Sequence, residues 1–150
     1  MSGTALQLAS PVDGIRLTLH VLAAAVWVGG QVTMLGLTGP AKTLGVDAPR
    51  TLARAFNKLA WPAYGVLFLT GMWNLAALHS ESMGEGSGMQ VDASTSWNAV
   101  FGIKMVMFLL AGVAAFLHTR ATSKTQLAIW GSVSGTASLV ALALGVFVAG

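Results

Sequence analysis

Trp97-Asn98-Ala99-Val100-Phe101-Gly102-Ile103-Lys104-Met105-Val106-Met107-Phe108-Leu109-Leu110-Ala111-Gly112-Val113-Ala114-Ala115-Phe116-Leu117 is an apolar run with one ionisable side chain, Lys104. As a helix rising 1.5 Å per residue it spans about 30 Å, the thickness of a bilayer's hydrocarbon core. Three runs of the same kind accompany it, from about Ile15 to Leu37, from Pro62 to Leu78 and from Leu127 to Ala149. Of all residues 55% are hydrophobic and 9% are charged, with a mean hydropathy of +0.72. An ordinary soluble domain carries roughly 25% charged residues, and a soluble fold could not cover this much apolar surface. The sequence therefore predicts an all-α integral membrane protein, with residues 1–150 forming one four-helix bundle.

The segments between the runs set the expected topology. Met1 to Ser10 has no basic stretch, and the following run is too long for a signal-peptide core, so the first helix reads as retained. Ser10-Pro11-Val12-Asp13 supplies a cap, a proline and an acid suited to a helix start. From Pro49 to Ala60, Arg50, Arg54 and Lys58 recur every four residues among Leu52, Phe56 and Leu59, the pattern of a short interfacial amphipathic helix. Residues 80–96 are rich in Gly and Ser and hold Glu81, Glu85 and Asp92 without a basic residue, as an aqueous loop does. Lys42, Arg50, Arg54 and Lys58 in the first loop and Arg120 and Lys124 in the third place those loops in the cytoplasm. A multi-pass protein of the cell membrane with both termini outside follows, Arg16 alone opposing it. The calculated pI near 9.8 reflects these helix-end residues and not a basic face, so no nucleic-acid partner is expected.

Ionisable groups at membrane depth are costly and tend to mark function. His20 shares a helical stripe with Ala24, Trp27, Gln31 and Met34, so one face carries an imidazole, an indole and an amide. Lys104 lies in the outer half of the third run and must either reach the outer interface or find a partner inside. His79 closes the second run on that same side. His118 lies about 21 Å further along the third helix than Lys104, beside Arg120, and reads as a cytoplasmic anchor. If the first three helices pack side by side, His20, His79 and Lys104 converge. Imidazole is a frequent ligand of metals and of b-type haem, and helix bundles hold such cofactors between facing helices. Lys104 could then pair with a haem propionate or an anionic substrate, or carry a proton. Against these stand plainer roles, a hydrogen-bonded packing residue for His20 and an interfacial one for His79.

Thioether and imidazole donors suit Cu(I), and Met72, His79, Met83 and Met89 form a possible copper-collecting track toward the outer loop. Methionine also serves as ordinary core filler. The fourth run carries Gly131, Ser134, Ser138, Ala141 and Gly145, a small-residue ridge that can pack within the bundle or against a second copy. Cysteine is absent, which excludes disulfides and thiolate chemistry. No P-loop, nucleophile elbow, zincin helix or dinucleotide fingerprint occurs, which argues against hydrolytic and nucleotide chemistry.

The run Leu19-His20-Val21-Leu22-Ala23-Ala24-Ala25-Val26-Trp27-Val28-Gly29-Gly30 resembles the first helix of copper-resistance D (CopD) domain proteins. Phe56-Asn57-Lys58-Leu59-Ala60-Trp61-Pro62-Ala63 with Leu69-Thr70-Gly71-Met72-Trp73 is similar to that family's second helix. Phe101-Gly102-Ile103-Lys104 with His118 is similar to its third. The resemblance implies a four-helix membrane unit within a wider group that includes HemJ-like haem proteins. It matches His20 and Lys104 to that group's first-helix histidine and third-helix lysine. Three functions are therefore expected to compete. The first is a CopD-like protein handling copper or binding b-type haem, with Trp27 and Gln31 beside the cofactor. The second is a HemJ-like haem-dependent oxidoreductase, and the third an accessory subunit docked on a larger membrane complex.

Overall fold

The computed structural model describes residues 10–84 and 95–149, with the backbone alone for residues 78–84, 95–97 and 148–149. Helix α1 (Pro11–Ala24) begins where the capping signals lie: Ser10 Oγ accepts the Asp13 N–H at 3.2 Å and Pro11 occupies the first turn. Asp13 also holds Arg16 at 3.0 Å. The chain then widens into one π-helical stretch, Ala25–Gly29, before resuming as α2 (Gly30–Ala41) and ending in a 3₁₀ turn, Lys42–Leu44. Gly45, at φ 138°, reverses the direction, a conformation side chains resist. Helices α3 (Ala48–Gly84), α4 (Thr95–Arg120) and α5 (Lys124–Ala149) follow. Among the described residues all regular structure is helical. Pro11–Leu44, Asn98–Arg120 and Lys124–Phe147 are each long and apolar enough to cross a membrane.

The short interfacial helix expected over Pro49–Ala60 does not stand apart: those residues are the first turns of α3, which runs on through Pro62. A proline inside a helix removes one hydrogen bond and crowds the carbonyl four residues back. Here packing holds the turns on either side, since Ala60 and Leu67 are buried and Phe56 and Tyr64 lie against them. At 37 residues α3 is about 55 Å long. A helix of that length exceeds any hydrocarbon layer, so its basic first turns can lie in water while its apolar part lies in lipid.

Successive rods pack antiparallel, and specific contacts set their registers. Between α1–α2 and α3, His20 meets Thr70, Trp27 meets Trp61 and Tyr64, and Gly30 meets Phe56. Between α4 and α5, His118 Nδ1 lies 2.9 Å from the Leu127 carbonyl and Ser134 Oγ donates to the Ala111 carbonyl at 3.0 Å. His118 thus ties the α4–α5 turn together. Apart from Trp27, the most buried residues are small: Ala60, Ala111, Ala114, Ala137, Ser134 and Ser138. Large apolar side chains face outward, Leu35 at 79% and Phe147 at 76% exposure. Small residues inside and large apolar residues outside is the arrangement of helices packed in lipid. The fourth-run ridge packs within the chain, with Ser134 and Ser138 almost fully covered. Exposed hydroxyls at Thr33 and Thr38 donate back to their own helix, to Gly29 and Met34 carbonyls, which leaves no free donor on the apolar exterior there.

Candidate functional site

His20 is the centre of the half that holds the start of α1 and the end of α5. Its Nδ1 lies 2.8 Å from Thr70 Oγ1, and the Thr70 hydroxyl donates to the Val66 carbonyl at 2.6 Å, one turn back in α3. That hydroxyl has one proton, and the Val66 carbonyl takes it. Thr70 Oγ1 must then accept from His20, which puts the ring proton on Nδ1 and leaves Nε2 with its lone pair. A hydrogen-bonded second nitrogen is the usual way a histidine ligand is oriented and made more basic. Gly71 leaves room beside the ring: a Cβ there would lie 3.7 Å from His20 Cε1.

Lys104 reaches this level from α4. Its Nζ lies against Gly145 of α5, 3.4 Å from where a Cβ would stand. Lys104 and His20 are both half-buried. One turn further out on the paired helices come Arg16 on α1 and Asn74 on α3, at one level because α1 and α3 run antiparallel through the His20–Thr70 contact. Arg16 Nε and Asn74 Oδ1 are buried without a hydrogen-bond partner among the described residues. This end of the packed helices therefore presents a free imidazole nitrogen, an ammonium, an unpaired guanidinium donor and an unpaired amide acceptor.

Trp27 and Gln31 lie deeper and are engaged with α5. Trp27 Nε1 donates to Ser138 Oγ at 2.9 Å and Gln31 Nε2 donates to the same oxygen at 3.2 Å. The π-helical stretch carries Trp27 into a cluster with Trp61 and Tyr64, and Tyr64 stacks on Phe108 at 4.4 Å while its hydroxyl donates to the Phe108 carbonyl at 3.0 Å. Both expected cofactor neighbours thus form a polar layer joining α1–α2 to α5, about two helical turns inward of His20.

Of the expected copper track, Met72 alone has a described side chain. Met72 is 44% exposed and follows Thr70 by two residues, about 200° around the helix from the face that meets His20. No group of three His, Cys, Asp or Glu side chains able to hold a metal occurs among the described residues. His79 and Met83 fall in the last turns of α3, where only the backbone is described, and Met89 lies outside the described residues. Thr70, Asn74, Ser134 and Ser138 were not singled out from sequence as site partners. Thr70 and Asn74, an i, i+4 pair in an apolar run, carried the signal that could have found two of them, since it mirrors Arg16 and His20.

No family model matches this chain, nor does any curated protein or solved structure.

Proposed function

We propose that the chain is a membrane protein crossing the bilayer four times that binds b-type haem through His20 in the outer half of a four-helix bundle. The observation that carries this reading is the hydrogen bond from His20 Nδ1 to Thr70, whose own proton goes to the Val66 carbonyl, because it leaves Nε2 free as a ligand. Thr70 is the positioning residue: it fixes the ring's tautomer and plane. The half-buried Lys104 ammonium beside Gly145 suits a carboxylate such as a propionate. Haem would supply one-electron redox chemistry, and this chain would supply the ligand, its orientation and the counter-charge. The resemblance to CopD and HemJ-like proteins favours the same pair of residues. The fourth crossing is α3, whose outward Val66, Phe68, Leu69 and Trp73 give it an apolar exterior like that of its neighbours.

The test is an absorption spectrum of detergent-purified protein from haem-replete cells, oxidised and then dithionite-reduced, with copper measured on the same sample. A Soret band with sharp reduced α and β bands, lost in His20→Ala, is expected. A colourless preparation carrying stoichiometric copper would replace haem with metal handling, and neither signal would leave an accessory role.

A further inference from the structure

On the exterior, between α3 and α4, runs a groove of about 300 Å³ walled by Trp61, Tyr64, Leu109, Gly112, Val113 and Phe116. Its floor is fixed. The Tyr64 ring reaches across from α3, fills the space a side chain at Gly112 would take and stacks on Phe108 at 4.4 Å. Its sides are open: Leu109, Val113 and Phe116 are about half exposed. The wall from Leu109 to Phe116 is about 10 Å long, the shape an extended hydrocarbon chain fills.

What covers an apolar groove is decided by its ends, and this one is cationic at one end only. On α4, Arg120 lies one turn beyond Phe116 on the same face, and its guanidinium folds back over the Phe116 ring at 4.8 Å. On α3, which runs antiparallel, Lys58 and Arg54 precede Trp61 by three and seven residues, positions that share its side of the helix. All three cations are exposed, and none has a carboxylate partner among the described residues; the nearby Asp47 lies 4.0 Å from Arg50. At the groove's other end α4 continues through Val106 and Met105, and the next residue, Lys104, reaches across to Gly145 of α5 and away from α3. Three unpaired cations at the mouth of an apolar channel match one ligand chemistry, a phosphate carried on an acyl chain.

We propose that this groove is a binding site for one anionic phospholipid, its acyl chain lying against Tyr64, Gly112 and Val113 and its headgroup phosphate between Arg54, Lys58 and Arg120. The proposal rests on the membrane-spanning reading above and is independent of haem. It assigns these basic residues a ligand beyond the general anchoring of helix ends.

Native mass spectrometry of protein in mild detergent, given equal amounts of phosphatidylglycerol and phosphatidylcholine with identical chains, tests it. Each cation near an anionic headgroup contributes about fivefold in affinity. Wild-type protein should therefore retain phosphatidylglycerol at least about tenfold over phosphatidylcholine, and the triple variant R54Q/K58Q/R120Q should fall to near parity. Val113→Trp, with its charges intact, should lower retention of phosphatidylglycerol severalfold by filling the groove. Equal retention of both lipids by wild type, a preference that survives the triple substitution, or suppression by inorganic phosphate alone would overturn the site. Carbonate washing of membranes separates the two failures. Protein that stays in the pellet without a lipid preference sinks only this proposal, whereas release into the supernatant sinks the membrane reading itself.

Discussion

Gly112 and Gly102 sit ten residues apart on α4, yet only one is constrained. A Cβ at Gly112 would overlap the Tyr64 hydroxyl and ring, whereas one at Gly102 would meet nothing within 4 Å. Gly112→Ala should push Tyr64 off its stack on Phe108 and destabilise the protein by about 1–3 kcal/mol, the usual cost of overpacking. Gly102→Ala should be neutral or slightly stabilising, because alanine is the better helix former. Thermal unfolding of both variants in one detergent checks the difference; equal midpoints would contradict the packing described. Thr70→Val keeps the shape of the side chain and removes the acceptor for His20 Nδ1. A buried N–H left unpaired costs about 1–3 kcal/mol, and the freed ring can rotate or change tautomer. If His20 holds haem as proposed, weaker haem retention with an altered reduced spectrum is expected. A spectrum identical to wild type would show that Thr70 does not position the ligand.

At the scale of elements, the π-helical stretch and the serine ridge of α5 work together. A π-turn carries one residue more than the α-helical turn it replaces. It sets the angle between His20, which faces Thr70, and Trp27, which faces Ser138. Deleting the exposed Ala25 should return this turn to α-geometry with the helices on either side still in register, while Trp27, inside the stretch, loses the orientation from which it reaches Ser138. A lower thermal midpoint is expected, and an unchanged midpoint would mean that the wide turn does not position Trp27. Ser138 accepts from two donors on another helix. Hydrogen bonds between membrane helices are worth about 0.6 kcal/mol on average and up to about 1.7. Ser138→Ala should therefore cost about 1–2 kcal/mol, while Ser132→Ala, at an exposed position of the same helix, should cost nothing measurable. Ser134 contributes less to this layer than its position suggests. Its single proton goes to the Ala111 carbonyl at 3.0 Å, leaving Gln31 Oε1 at 3.4 Å.

For the whole molecule, antiparallel rods bring the Lys42–Leu44 turn and the Arg120–Lys124 turn to one end. The positive-inside bias then predicts that this end is cytoplasmic. The chain has no cysteine, which makes single-cysteine labelling direct: Val46→Cys and Thr122→Cys should react with a membrane-impermeant maleimide only after the cells are opened, and Ser2→Cys should react in intact cells. The reverse pattern would invert the topology. The apolar runs were legible in the sequence because the hydrocarbon core demands length and hydrophobicity, and both are local properties of a chain segment. The capping signals at Ser10-Pro11 and the ranking of His20 and Lys104 as the costly residues followed from the same solvent argument. What the sequence left undecided was pairing. Pro49–Ala60 has the local pattern of a separate interfacial helix, yet packing around Ala60 and Leu67 carries α3 straight through Pro62. The ridge of α5 could have faced a second copy or its own chain, and Ser138 meeting Trp27 and Gln31 places it within. Whether His20 has a partner depends on an antiparallel register that sets Thr70 opposite it, and register is fixed by the close fit of Gly30 to Phe56 and Gly112 to Tyr64 across helices far apart in sequence. Composition and spacing determined that this chain is helical and suited to lipid. Only the tertiary structure decided which polar groups face one another, because that depends on contacts no single helix contains.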